Sequence, residues 1–110
     1  MDNFFDDLPD ETLPQERFDT LARLAGARIE RILSTGQADP EDQWQCQPHD
    51  EWVMLVAGTA GLVLRDPDGA LRNLELSPGD HLLIPAGQPH RVSHTSDPAL
   101  WLAVHAGETD

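Results

Sequence analysis

Lysine is absent from this chain of 110 residues, and cysteine occurs once. Seven arginines carry all the basic charge against twenty acidic residues, for a net charge of -13. Such a surface repels phosphate backbones and anionic lipid heads, so nucleic acid and membranes are not expected partners. Solubility is the ordinary consequence of the acidity. A single cysteine, Cys46, cannot close an internal disulfide, and nothing asks for an oxidising compartment. No apolar run approaches the ~18 residues that span a bilayer. The opening MDNFFDDLPDE lacks the basic and apolar segments of a signal peptide, so a cytoplasmic protein is the expectation. P-loop, G-x-G-x-x-G, G-x-S-x-G and C-x-x-C patterns are all missing, which leaves nucleophilic catalysis and nucleotide cradles without support.

What is present suits one domain, with enough length for a core that needs no staples. Residues 1–11 form an acidic tail in which Phe4 and Phe5 suggest docking. In TLPQERFDTLARLAG, Thr12 and Gln15 have capping-box spacing and Pro14 falls in a first turn. Phe18, Leu21 and Leu24 recur at helical spacing, with Gly26 as a stop. The expectation is a tail and one short helix (~14–25) within residues 1–26, followed by a β domain over 27–110. From Ala27 onward short strands alternate with turns: RIERILS, WQCQ, EWVMLVAG, GLVLRD, ALRNLEL, HLLIP, HRVSHTS and LWLAVHA. About eight strands with closely spaced turns mean a sandwich or barrel. Both faces of WVMLVA are apolar, consistent with a strand covered on both sides.

The stretch GDHLLIPAGQPHRVSH brackets a short apolar strand with turn residues and places His90 directly after a tight turn. Strand alternation puts His90, Val92 and His94 on one face. The spacing Gly79-x5-Pro85-x-Gly87-x2-His90 resembles the second motif of the cupin superfamily, G-x5-P-x-G-x2-H-x3-N, with His94 in the last place. Upstream, Glu51-x6-Gly58 resembles the tail of the first cupin motif, G-x5-H-x-H-x3,4-E-x6-G. The resemblance covers residues ~27–106. It implies an all-β fold: a double-stranded β-helix, or jelly-roll, barrel behind the short N-terminal helix.

The resemblance also implies a pocket inside the barrel, where cupins commonly hold Fe, Mn, Ni or Zn with two histidines and a glutamate from the first motif and a histidine from the second. By position only Glu51 and His90 carry over. The H-x-H places fall on Gln45 and Gln47, or on Trp44 and Cys46 with the longer spacer; neither frame gives a histidine, and an amide oxygen is a weak ligand beside an imidazole. His49, two residues before Glu51, would restore a set of two imidazoles and a carboxylate. Gln47 is the other substitute ligand. Gln45, Gln47, His94 and His105 are expected to line the pocket; His105 shares a strand face with Trp101. Cys46 is expected to turn away from the flanking glutamines. Three functions follow: metal-dependent chemistry on a small molecule (dioxygenase, isomerase or lyase class), a metal-free barrel that binds a small polar ligand, or a structural or interaction module working as a homodimer. The two-sided strand, and the family's habit of pairing through sheets, imply a homodimer.

Overall fold

The computed structural model describes residues 1–107, all of them in strands, turns and loops. Eight strands form two antiparallel sheets: β1 (Arg17–Leu24), β2 (Ala27–Ser34), β3 (Asp50–Ala57), β4 (Ala60–Arg65), β5 (Leu71–Leu76), β6 (His81–Ile84), β7 (His90–Thr95) and β8 (Ala99–Ala106). One sheet has the order β1-β2-β8-β3-β6, the other β5-β4-β7. Among the described residues no helix is long and apolar enough to cross a membrane.

The expected N-terminal helix is instead strand β1. It pairs with β2 from Arg17 opposite Leu33 to Leu24 opposite Ala27. That pairing leaves Ala25 and Gly26 as a two-residue hairpin loop, with Gly26 at φ +75°. A left-handed glycine ends a helix or turns a hairpin equally well, so the local signal was ambiguous. The Phe18, Leu21, Leu24 spacing marks no buried stripe: all three side chains are exposed. A β-bulge between Thr20 and Ala22 breaks the strand alternation that would have argued against a helix. The preceding tail is fixed by Arg31, which donates to the carbonyls of Phe4 at 2.7 Å and Asp6 at 2.8 Å.

The core lies between the sheets. Val53 and Leu55 of β3, Leu62 and Leu64 of β4, Ile84, and Ala99, Trp101 and Ala103 of β8 form one buried cluster. Inward positions alternate along each strand, and at one end of the barrel they change from apolar to polar. There Arg28 of β2 lies opposite His105 of β8, and His105 lies opposite Glu51 of β3. The expected WQCQ strand is a loop carrying a single bridge, Gln45 to His90. Its backbone is tied to the second motif: Gln45 and His90 exchange N–H···O bonds of 2.8 and 2.9 Å, and the Gly87 N–H donates to Gln47 at 2.8 Å. These bonds set Gln45 and Gln47 at the barrel mouth.

Candidate functional site

The cavity inside the barrel holds about 260 Å³. Its floor is apolar, with Val53, Leu62, Ile84, Val92 and Trp101. Its polar end carries Arg28, Glu30, Gln47, Glu51, His90 and His105. Trp101 is held by an N–H···O bond of 3.1 Å to Ser34, so its ring forms a fixed wall.

Glu51 is the hub. The Gln47 amide donates to its Oε1 at 2.8 Å. The Nε2 of His90 lies 3.9 Å from Oε1, and that of His105 lies 3.7 Å from Oε2. His90 is buried and its Nδ1 sits 3.0 Å from the Gln88 carbonyl. A carbonyl only accepts, so Nδ1 carries the proton and a neutral His90 presents a bare Nε2 to the cavity.

His105 is bonded on both ring nitrogens, through Nε2 to Glu30 at 3.2 Å and through Nδ1 to His49 Nε2 at 3.1 Å. The bond to Glu30 raises the His105 pKa above the ordinary imidazole value, against the opposing effect of burial. Burial pushes the Glu30 carboxyl up, but bonds from His105 and Arg28 outweigh it and leave Glu30 below the usual carboxylate range. Arg28 reaches Glu30 at 2.5 Å. Glu16, which also lines the cavity and accepts from Ser34, is pushed up by burial.

Glu51, His90, Gln47, Gln45 and His105 thus all line the cavity, and His49 reaches it through His105. His94 does not. Gly61 pairs with His94 and Leu62 with Val92, so Ser93 is an extra residue in β7. This bulge breaks the alternation from His90 and leaves His94 exposed, 2.6 Å from Glu75. Cys46 is exposed. Arg28, Glu30 and Glu16 were not singled out in the sequence. Arg28 and Glu30 alternate around Ile29 in a strand with apolar residues on both faces, so the pattern does not say which face turns inward.

The donor set does not match a metal centre. Among the described residues no three His, Cys, Asp or Glu side chains are placed to share one ion. Gln45 and Gln47 stand where the family's motif has histidines. The Gln45 amide is bonded to Asp39 at 2.7 Å, and that of Gln47 to Glu51. His105 is committed to Glu30 and His49, which leaves His90 as the one imidazole and Glu51 as the one carboxylate of the matched positions.

A comparison with curated proteins finds no match. Among solved structures, a candidate mannose-6-phosphate isomerase from Ralstonia eutropha JMP134 is 44% identical, with TM-score 0.85 over 98% of each chain. KdgF from Halomonas sp. is 17% identical, with TM-score 0.73 over 91% of this chain and 87% of its own. Oxalate decarboxylase OxdC of Bacillus subtilis is 20% identical, with TM-score 0.68 over 86% of this chain and 26% of its own. The last two show the shared barrel alone. The cupin domain model matches residues 32–105, the span that holds Glu51, Gly58, the Gly79–His90 motif and strands β3 to β7; the chain belongs to the cupin family.

Proposed function

We propose that the barrel binds a small, uncharged hydroxy-carbonyl compound and shifts a proton between its neighbouring carbons, with no resident metal ion. The observation that carries this reading is Glu51: a buried carboxylate, oriented by the Gln47 amide, within 4 Å of two imidazole Nε2 atoms at the end of a cavity sized for a small molecule. Isomerisation needs a base that takes a C–H proton and returns it one carbon away, plus a group that passes a proton between the two oxygens. Glu51 fills the first role through Oε2. The bare Nε2 of His90 fills the second, accepting from the hydroxyl and donating to the carbonyl oxygen. His105 and Glu30 hold a charge pair behind the carboxylate. The isomerase description of the Ralstonia protein supports the reaction class.

The electrostatics argue for an uncharged substrate. Glu16, Glu30 and Glu51 face the cavity, and Arg28, the arginine of the lining, is paired with Glu30. A phosphate would meet more negative than positive charge. Hydroxyl groups suit carboxylate acceptors, and Trp101 offers an apolar wall.

Proton abstraction leaves a trace even when turnover is slow. In D2O, metal-stripped protein incubated with neutral aldoses and ketoses is expected to put deuterium on the carbon next to the carbonyl, read by NMR. Glu51→Gln is expected to lower that exchange by at least about 100-fold, the usual contribution of a general base. Exchange that is absent from every sugar tried, or unchanged in Glu51→Gln, would sink the proposal.

A further inference from the structure

Two of the seven arginines, Arg65 and Arg91, have no acidic partner among the described residues. Arg17, Arg28, Arg31 and Arg72 are each ion-paired. Arg65 and Arg91 pair with no acid among the described residues, and both stack on one indole instead. The Arg65 guanidinium carbon lies 4.5 Å from the Trp44 ring centre and that of Arg91 lies 5.4 Å away. The two positive groups are therefore no more than about 10 Å apart. The Nε of each is buried without a hydrogen-bond partner. Their terminal nitrogens bond to no described residue, and both side chains are half-buried.

The surroundings keep these groups unneutralised. Asp66, next in sequence to Arg65, has both carboxylate oxygens engaged by Arg72 Nε, at 3.0 and 3.1 Å. Asp39 accepts the Gln45 amide at 2.7 Å and the Val92 N–H at 2.9 Å, both on Oδ2, and pairs with neither arginine. Arg91 pairs across the sheet with Val63, and Leu62 and Val92 line the barrel cavity, so the arginines lie on the outer face of the β5-β4-β7 sheet. Beside Arg65 runs an open cleft of about 660 Å³, walled by Pro67, Pro85, Ala86 and Pro89, with Asp66 and Gln88 as its other polar side chains.

We propose that Arg65 and Arg91, braced on Trp44, form a second binding site, separate from the barrel cavity, for a small organic oxyanion. The shared chemistry is a carboxylate or phosphate group whose oxygens accept from the planar N–H forks of both arginines. Stacking on Trp44 holds the guanidinium planes in place before the anion arrives, which cuts the ordering cost of binding. The body of the ligand lies along the proline-lined cleft beside Arg65. The excess of acidic residues elsewhere opposes anions at long range, so affinity comes from these short contacts.

The test uses the full chain and two probes, inorganic phosphate and sodium acetate, titrated against chloride at constant ionic strength. Nitrogen-15 spectra resolve the arginine Nε–H groups. Saturable shifts confined to Arg65 and Arg91, with a millimolar midpoint, are expected. A response to phosphate rather than acetate identifies the ligand group as a phosphate ester, and the reverse identifies a carboxylate; either supports the site. Arg65→Gln and Arg91→Gln are each expected to weaken binding at least tenfold, and Arg17→Gln to leave it unchanged. If a variant fails to fold, the wild-type shifts decide alone. The proposal is overturned by no saturation with either probe up to about 50 mM, by equal shifts on all arginines, or by unchanged binding in the folded variants.

Discussion

At the scale of single residues, the site depends on which groups hold charge, and pH exposes this. His105 has a folded pKa above its ordinary 6.5, so the stability it lends is complete below that value and is lost as pH rises through the raised one. Glu30 is shifted the other way from 4.5, so its contribution is present above that value and lost as pH falls through the lowered one. The pair therefore stabilises most between about 4.5 and 6.5. Glu16, raised by burial, adds a separate loss on the alkaline side of 4.5. Comparing wild type with His105→Gln cancels the Glu16 effect. The gap between their melting temperatures should be widest near pH 5.5 and shrink as pH rises beyond neutrality. A gap that does not vary with pH would mean that His105 matters only by packing.

At the scale of elements, motif glycines and bulges fix where side chains point. Gly58 turns β3 into β4 at φ +84°, and a Cβ there would run into the Pro98 carbonyl and Ser96 Oγ. Gly58→Ala should cost at least about 2 kcal/mol from the left-handed conformation and the clash together. In a domain of this size that lowers the melting temperature by roughly 8–15 °C, read by calorimetry. An unchanged melting temperature would show that the turn relaxes freely. The same elements explain what could be read from sequence. Glu51, Gly58 and His90 were legible because turn chemistry imposes fixed spacings on them. β1 was not, because its ladder to β2 overrides a helix-like spacing and Gly26 serves either ending. His94 was misplaced because the Ser93 bulge depends on pairing with β4, a contact absent from local sequence. Arg28 and Glu30 were missed because only the assembled sheet defines which face of β2 is inside.

At the scale of the whole molecule, two features stand out: apolar side chains left in water, and a cavity whose polar end gathers around Glu51. Phe18 (58% exposed), Leu21 (44%) and Leu24 (62%) lie on β1, an edge strand whose outer ladder is open. Edge strands with exposed apolar residues recruit another chain. We expect a second copy there, and sedimentation should give twice the chain mass of 12.2 kDa, with Leu24→Asp shifting the protein to monomer. A wild-type monomer at high micromolar concentration would remove this expectation.

The central claim is that the Glu51–His90–His105 pocket works through its own carboxylates and imidazoles. Calorimetric titration of untagged, chelator-stripped protein with Mn, Fe(II), Ni and Zn at pH 7 tests it most directly. The account predicts no ion bound more tightly than about 100 µM, because amides occupy two ligand positions and one imidazole and one carboxylate make too small a donor set. Stoichiometric binding of one ion at low micromolar concentration, lost in both His90→Ala and Glu51→Gln, would contradict it.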